Sequence, residues 1–466
     1  MGGNAGTART PGRPRWTGPG RDDGDAGHDD YDDYDDDAYV DVVHRTWRHA
    51  ATRPDAVAIR HAGDVWSYDD LVRASSRHAR RFVAGGLAPG DRVLLVAPTS
   101  VGFVQAYLGI LAAGAVAVTV NPMCTARELQ YFAEDSGCRL VIGWHENARI
   151  AADVAGRLDL PFVELHDIAP GADDEVFEPV ERAPDDPAVL LYTSGTTGRP
   201  KGAIITFGNI FASTWALCRT FDTTADDRIG TALPLFHVYG QVAVLACALD
   251  AGASVSLLRP FSGEGALRMA ERDGLTVLCD VPTMWVEMLE SARTLDPLPN
   301  ITSLRLAASG GAALPVEINR AFAAMFGAGV ADGYGLSETT ATATCHRPGR
   351  EPREGSVGQA VPGVEISVVD ELGRVLPPGE IGEITVAGKN VMAGYRGRPE
   401  ATAEAFSQGR HSGAADRHLA RPLQRRELPN RGRQAARRLV HRRFRGPWKG
   451  RGHQHHDVRD AHPVHR

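Results

Sequence analysis

A run of hydroxyl-bearing residues and glycines between Thr193 and Lys201 carries the clearest chemistry in the sequence. It follows a predicted apolar strand, Ala188–Tyr192, and supplies hydroxyls, glycines and one cation: Thr193, Ser194, Gly195, Thr196, Thr197, Gly198 and Lys201. Glycines allow backbone N–H groups to close around a phosphate chain, hydroxyls donate hydrogen bonds to it, and the lysine adds a point charge. The run therefore predicts a loop that holds a triphosphate.

The loop departs from the Walker phosphate-binding pattern. Pro200 stands before the lysine where that pattern needs glycine, and Gly202 follows where a Ser or Thr would bind magnesium. It instead resembles the signature of the AMP-binding adenylate-forming superfamily, which contains acyl-CoA synthetases, aryl-CoA ligases, luciferases and peptide-synthetase adenylation domains. A surface turn rich in glycine and threonine is the alternative interpretation.

Later segments follow in the order that this superfamily has. They are Leu233–Gly240, Ala308–Pro315, Asp332–Thr339 and Asn390–Tyr395. By resemblance, His237 and Val238 border the carboxylate pocket, and a glycine turn approaches the adenine and the acyl chain through Gly310, Gly311 and Ala312. A histidine among apolar residues is more often a core residue, but the shared order of the segments favours the pocket.

The segment Asp332–Thr339 resembles the adenylate-binding motif of the superfamily. The resemblance implies that Tyr334 stacks on adenine, Ser337 contacts the α-phosphate and Glu338 binds the magnesium ion that bridges the phosphates. A carboxylate oxygen is a ligand that such a hard cation prefers. The nucleotide-binding set in this segment is completed by Asp332, Gly333 and Gly335.

Apolar strands such as Arg92–Val96 alternate with amphipathic helices such as Tyr68–Ala84. This alternation predicts an α/β fold with layered, largely parallel sheets. The apolar stretch Phe103–Val120 is predicted to be a buried helix and a short strand separated at Gly114, and not a membrane span.

The pattern of the sequence changes between about residues 345 and 400. Short runs broken by turns, namely Val364–Val369, Gly373–Gly379 and Gly382–Ala387, predict antiparallel strands and hairpins. We therefore expect a small antiparallel β subdomain after the α/β part of the large domain.

The two ends of the chain differ in charge from its middle. Residues 1–37 end in a dense acidic run and predict a disordered arm, whereas residues 38–406 predict the AMP-binding large domain. From Arg410 onward there are 16 Lys and Arg against 4 Asp and Glu, compared with 35 against 54 before it. Residues 407–466 are therefore predicted to be a basic, disordered tail outside the superfamily pattern.

Superfamily members continue past the equivalent of Phe406 with a ribose-binding aspartate, a hinge and a small C-terminal domain that carries a catalytic lysine. Permitted codons for Arg425–Phe444, read one nucleotide later, can encode a stretch that resembles this hinge. We therefore expect a frameshift, a missing small domain and impaired activity. The alternatives for the tail are a basic arm for nucleic acid and a metal site at His453, His455 and His456, but it lacks interleaved aromatics and a structured scaffold.

The resemblance implies an ATP-dependent ligase that converts a carboxylic acid, preferably a fatty acid, to an acyl-adenylate and transfers it to coenzyme A. Lys201, Thr193 and Glu338 would be catalytic, with ATP, Mg²⁺ and CoA as cofactor and co-substrates. The alternatives are an inactive ATP-binding relic or scaffold, an aryl-CoA ligase and a peptide-synthetase adenylation domain. No nucleic-acid partner or integral membrane association is expected, and a homodimer stays open. Six scattered cysteines and the lack of an apolar leader predict a cytoplasmic location.

Overall fold

The computed structural model of the 466-residue chain describes residues 39–171, 174–193, 199–348, 353 and 355–406, and the backbone of 419–420. The chain divides into residues 1–39 and 40–466, and every helix and strand named below belongs to the second unit. The predicted acidic arm and nearly all of the predicted tail lie outside the described residues. The predictions of a disordered arm, of a disordered tail and of a frameshift therefore stay predictions.

Eleven α-helices lie in the described part of the chain. They are α1 (Val42–Thr52), α2 (Tyr68–Ala84), α3 (Val101–Ala112), α4 (Ala126–Ser136), α5 (Ala148–Arg157), α6 (Phe207–Phe221), α7 (Cys247–Ala251), α8 (Gly263–Asp273), α9 (Pro282–Ala292), α10 (Val316–Phe326) and α11 (Pro399–Ala405). Capping boxes begin α2 at Ser67 and α6 at Thr206, where each cap side chain accepts from a backbone N–H three residues on. These reciprocal hydrogen bonds satisfy N–H groups that the first turn leaves unpaired, and so fix where the helices begin.

Nineteen strands lie in the described residues. They are β1 (Val57–His61), β2 (Asp64–Ser67), β3 (Arg92–Val96), β4 (Val116–Val120), β5 (Leu140–Trp144), β6 (Phe162–Leu165), β7 (Pro187–Thr193), β8 (Lys201–Thr206), β9 (Arg228–Thr231), β10 (Ser254–Leu257), β11 (Val277–Asp280), β12 (Leu306–Ser309), β13 (Val330–Tyr334), β14 (Thr344–Cys345), β15 (Gln359–Ala360), β16 (Val364–Val369), β17 (Glu383–Gly388), β18 (Gly394–Tyr395) and β19 (Leu419–Ala420). Helix α2 and strands β3 and β16 have the bounds that the sequence predicts.

The strands form three sheets. A nine-stranded sheet has the order β15-β14-β13-β12-β11-β9-β10-β1-β2, a seven-stranded sheet has the order β18-β8-β7-β4-β3-β5-β6, and β16-β17-β19 form the third. Neighbours from β13 to β1 in the first sheet and from β7 to β6 in the second run parallel. Antiparallel pairing is confined to the third sheet and to strands towards the edges of the other two. The prediction of an α/β fold with layered, largely parallel sheets is confirmed.

Helix α3 is the most apolar helix of the described chain, and every one of its residues is buried. It ends at Ala112, and Gly114, with φ +71°, turns the chain directly into β4. The predicted division of this apolar stretch into a helix and a strand is therefore confirmed. Among the described helices, none combines the length and apolarity that crossing a bilayer requires.

The region predicted as a β subdomain contributes to all three sheets. Strands β14 and β15 extend the nine-stranded sheet, β18 pairs with β8 in the seven-stranded sheet, and β16 and β17 pair with each other. The hairpin predicted at Gly373–Gly379 is present, although it is short: Val375 pairs with Val369 in one antiparallel bridge, and Leu376 N donates to the Val368 carbonyl at 2.8 Å. The Asp370 carboxylate accepts hydrogen bonds from the backbone N–H groups of Leu372 and Arg374, both at 2.9 Å, and this folds the segment into a turn.

Candidate active site

A cavity of about 450 Å³ opens at the carboxyl ends of the central strands of the nine-stranded sheet. Parallel strands gather loops from successive elements at this edge, which is where α/β folds usually bind ligands. Eleven residues predicted from the sequence line it: Thr193, His237, Val238, Gly310, Gly311, Ala312, Gly333, Tyr334, Gly335, Ser337 and Glu338. Lys201 and Asp332 lie outside the lining, and Ser194, Gly195, Thr196, Thr197 and Gly198 lie outside the described residues.

The two ends of the predicted phosphate loop are joined by strand pairing. Strands β7 and β8 are antiparallel, and Thr193 stands directly opposite Lys201 in their register. This pairing holds a hydroxyl and an ammonium group at the two ends of the loop.

Glu338 connects the loop to the other sheet. It lies in a single 3₁₀ turn, Ser337–Thr339, after β13. Its carboxylate Oε1 accepts hydrogen bonds from Thr193 Oγ1 at 3.3 Å and from Tyr395 Oη at 2.7 Å. A carboxylate and a hydroxyl thus meet at the beginning of the predicted phosphate loop, and a hard cation prefers oxygen ligands of this kind.

The predicted glycine turn connects β12 to α10. Gly311 has φ +77°, a left-handed conformation that favours glycine, and a Cβ on Gly310 would lie 3.1 Å from the Tyr239 ring. The missing side chain at Gly310 therefore leaves room beside the aromatic ring. Tyr239 Oη donates a hydrogen bond to the Ala308 carbonyl at 3.2 Å, so the ring is fixed from the β12 side of the turn.

Asp332 supports this turn from outside the cavity lining. Its Oδ2 accepts a hydrogen bond from Leu314 N at 3.2 Å, and its Oδ1 accepts one from Gly333 N at 3.1 Å. Its own backbone N–H donates to Nδ1 of His346 at 3.2 Å. These contacts tie the end of β13 to the glycine turn, so that the two predicted nucleotide-binding segments are adjacent.

His237 belongs to the loop that precedes the π-helix Tyr239–Ala246. The Tyr239 backbone N–H donates a hydrogen bond to His237 Nδ1 at 3.2 Å, which assigns the proton of the neutral ring to Nε2. Desolvation by the surrounding protein lowers the pKa of His237, although its ring is open to the cavity. At neutral pH the ring therefore offers a neutral N–H donor towards the cavity.

Apolar residues form the remaining wall of the cavity. They come from α6, the π-helix and the central strands: Leu217, Phe221, Ile229, Ala243, Val277, Leu306 and Ala331. Cys247, Cys279 and Cys345 add thiols, and burial raises the pKa of Cys345 to about 12 and that of Cys279 further. Cys279 and Cys345 are therefore protonated at neutral pH and act as small apolar groups.

The model of the AMP-binding enzyme family matches residues 46–396. The chain belongs to this family. It is 36% identical over 374 residues to a feruloyl-CoA synthase of Amycolatopsis sp., with 78% of this chain and 74% of the relative covered. It is also 34% identical over 357 residues to a sulfoacetate–CoA ligase of Cupriavidus necator, with 74% of this chain and 69% of the relative covered.

Solved structures agree with this membership. The ATP-bound MatB of Rhodopseudomonas palustris is 33% identical and superposes with a TM-score of 0.72, with 79% of this chain and 74% of MatB covered. The prediction of an adenylate-forming acid–CoA ligase is confirmed at this level. The acids in the relatives' names range from ferulate to sulfoacetate and fatty acids, so they do not single out one acid class.

The sequence analysis of this AMP-binding enzyme did not single out Tyr395, which contacts the cavity-lining Glu338. Its motif was recognised, but only the fold brings the phenol ring to Glu338 and to Lys201, whose Nζ lies 5.3 Å from the ring centroid. Asp135 was also missed. It accepts hydrogen bonds from Tyr192 Oη at 2.8 Å and Arg398 at 2.6 Å, and so connects α4 to the strand that precedes the phosphate loop. The sequence gives no signal for either contact because each joins distant segments.

Proposed function

We propose that this enzyme activates an apolar monocarboxylic acid, preferably a fatty acid, with ATP and transfers the acyl group to coenzyme A. The first step forms an acyl-adenylate and pyrophosphate, and the second releases AMP as the thiol attacks. The observation that carries the proposal is a single cavity with a polar end at Thr193, Ser337 and Glu338 and an apolar wall towards Leu217 and Phe221. A nucleotide phosphate and an acyl chain can be bound side by side in such a space.

The charge of the cavity supports an acid with one carboxylate. Among the described residues that line it, Glu338 is the one formally charged side chain, and no lysine or arginine is present. A second carboxylate or a sulfonate on the acid would lose its hydration without gaining a cationic partner, which is costly. Malonate, oxalate and sulfoacetate should therefore be poor substrates, even though a relative is named for sulfoacetate.

An aryl acid is the second candidate. The relative named feruloyl-CoA synthase supports it, and the Tyr239 ring beside Gly310 offers an aromatic surface on which a flat ring could stack. A fatty acid is preferred because small and aliphatic groups, such as Ala243, Ala331 and Val277, dominate the wall away from that ring. Comparison of saturated and aromatic acids of similar size distinguishes the two candidates.

The polar end suits a nucleotide accompanied by magnesium. The Glu338 carboxylate, the Thr193 hydroxyl and the nearby Ser337 provide the oxygen atoms that this hard cation prefers. Bound there, Mg²⁺ would neutralise charge on the phosphates. Lys201 would add its ammonium at the far end of the loop, and Tyr334 would bind the adenine.

The residues of the chain would act mainly by positioning and charge. The attacking carboxylate and the α-phosphate repel each other, so cationic groups and loop dipoles must hold them together in the cavity. His237, neutral and with Nε2 protonated, would donate a hydrogen bond to the acyl group. Lys201 and the backbone N–H groups of the loop would stabilise negative charge on the phosphates.

The test is acid-dependent ATP–pyrophosphate exchange by the full chain. We expect exchange with octanoate that exceeds exchange with malonate or sulfoacetate by about tenfold or more, since one uncompensated buried charge costs at least 1.4 kcal/mol. Exchange driven best by malonate or sulfoacetate would refute the proposed acid class. An ATP-binding relic would instead bind ATP without exchange for any acid. If residues 407–466 impair the activity as predicted, the rate of ATP–pyrophosphate exchange would be low, but the order of preference among the acids would stay the same.

A further inference from the structure

We infer that Tyr395 is a positioning residue for the metal-binding carboxylate of this site. Its hydroxyl fixes Glu338 for the divalent cation that accompanies the nucleotide, and its ring contacts Lys201. The inference rests on the proposed function, because it assigns Glu338 and Lys201 to the phosphates. The resemblance to the superfamily motifs named neither Tyr395 nor a residue that orients Glu338.

Tyr395 and Thr193 contact the same atom of Glu338. Tyr395 Oη donates to Oε1 at 2.7 Å, and Thr193 Oγ1 donates to it at 3.3 Å. Both side-chain hydrogen bonds that the described residues give to this carboxylate therefore go to Oε1, and Oε2 is left for a cation. The main chain of Glu338 is held by the same segment, since Met392 N donates to its carbonyl at 2.9 Å.

Tyr395 is itself rigidly placed. It lies in β18, opposite Ala203 of β8, and only 4% of its surface is exposed. Its backbone N–H donates to Thr402 Oγ1 at 2.9 Å, which anchors β18 to α11. A buried aromatic residue on a paired strand loses little further freedom when it orients a neighbour. The hydroxyl is therefore a fixed donor, and Glu338 is the group that it orients.

The ring of Tyr395 has a second partner. Lys201 Nζ lies 5.3 Å from the ring centroid, within the range of a cation–π contact. Lys201 enters from β8 and Glu338 from the turn after β13, so Tyr395 is a shared partner of two groups on different sheets. The hydroxyl and the ring act on different residues, which means that substitutions can separate the two effects.

The test compares Tyr395→Phe with the wild-type full chain. Calorimetric titration with ATP is performed once with MgCl₂ and once with EDTA. Loss of an outer-shell hydrogen bond typically weakens metal binding about 10- to 100-fold. We therefore expect ATP affinity in MgCl₂ to fall by about tenfold or more, with less than about a twofold change in EDTA. Tyr395→Leu, which also removes the ring from Lys201, should lose affinity in EDTA as well.

Tyr68→Phe is the matched control. Tyr68 Oη donates to the Ala253 carbonyl at 2.8 Å, so this variant also removes one buried hydroxyl hydrogen bond, at a residue that is not part of the cavity lining. Its ATP affinity should equal that of wild type in both solutions. Thermal unfolding of all variants identifies any that are unfolded at the titration temperature.

A double-mutant cycle keeps the test decisive if Tyr395→Phe loses stability. In a Glu338→Gln background, Tyr395→Phe should cause no further loss of the magnesium effect, because the two residues act as one unit. Equal weakening in MgCl₂ and EDTA, or full additivity with Glu338→Gln, would overturn the inference and leave the proposed function intact. A folded wild-type chain that does not bind ATP in MgCl₂ would refute the proposed function and the inference together.

Discussion

Thr193 and Glu338 are 145 residues apart in the sequence, and Thr193 Oγ1 donates a hydrogen bond to Glu338 Oε1 at 3.3 Å. Thr193 ends β7 of the seven-stranded sheet, and Glu338 follows β13 of the nine-stranded sheet. The contact therefore joins the beginning of the predicted phosphate loop to the proposed metal ligand. It places both groups at the polar end of one cavity.

Replacing Glu338 by glutamine should remove the anionic metal ligand while keeping its size. We expect the magnesium concentration that half-saturates ATP binding to rise by about tenfold or more, because a neutral amide oxygen binds a hard cation less well. The measurement is calorimetric ATP titration at a series of MgCl₂ concentrations. Glu365→Gln, on an exposed position of β16, is the isosteric control. An unchanged magnesium requirement in Glu338→Gln would exclude this residue as a ligand.

Replacing Lys201 by methionine should remove the positive charge that is proposed to bind the phosphates. The expected result is a loss of about 10²-fold in the rate of ATP–pyrophosphate exchange, typical for removal of one preorganised charge or donor. Lys389→Met is the control, because Lys389 is an exposed lysine beyond β17. Equal rates for Lys201→Met and the control would contradict a phosphate-binding task for Lys201.

Replacing His237 by phenylalanine should weaken the binding of the acid and leave the binding of the nucleotide unchanged. His237 offers one neutral N–H donor to the cavity, and loss of one hydrogen bond of about 1.4 kcal/mol corresponds to about a tenfold rise in KM for the acid. KM for ATP should stay constant. His166→Phe, at an exposed position after β6, serves as the control. A rise in KM for ATP with no change for the acid would place His237 at the nucleotide instead.

Asp280 should make the stability of the protein depend on pH. The residue is fully buried at the end of β11, where burial raises the pKa of its carboxyl to about 8. Between about pH 4 and pH 8 the unfolded chain binds fewer protons at this group than the folded chain, so the free energy of unfolding falls as pH rises. The group stabilises the fold fully below pH 4, and this contribution is lost by pH 8.

Asp280→Asn tests this pH dependence. The variant should match wild type near pH 4 and be more stable at pH 8, by on the order of a few kcal/mol. Urea denaturation at pH 5, 6.5 and 8 measures the difference. Asp226→Asn, on an exposed loop, should show no such trend. A difference from wild type that is constant across the three pH values would contradict the raised pKa.

The sequence predicts elements well where the signal is local. Helix α2 begins at a Ser67 capping box and ends before a glycine. Strand β16 is a short run of mainly β-branched residues bounded by turns. The sequence therefore predicts both elements with their bounds. The assembly of short strands is not local. Strand β18 has two residues and pairs with β8, almost 200 positions earlier, so it could not be assigned to the seven-stranded sheet from its own residues.

The candidate site was predictable as a set of motif residues and not as a set of contacts. Thr193, His237 and Glu338 could be named from their segments, and they line one cavity. Tyr395 could not be named because its hydrogen bond to Glu338 forms only in the folded chain. Asp332 was predicted with the nucleotide-binding residues, yet its carboxylate hydrogen-bonds the backbone of the glycine turn instead of lining the cavity.

The most direct test of the account is calorimetric binding of an octanoyl-adenylate analogue in which a sulfamate replaces the phosphate. Such an intermediate mimic fills both the nucleotide part and the acyl part of the cavity, so it should bind about 10²-fold or more tightly than octanoate or AMP alone. The malonyl counterpart should bind at least about tenfold more weakly, since its second carboxylate finds no cationic side chain. Equal binding of the two analogues, or no binding of either to the folded chain, would contradict the account.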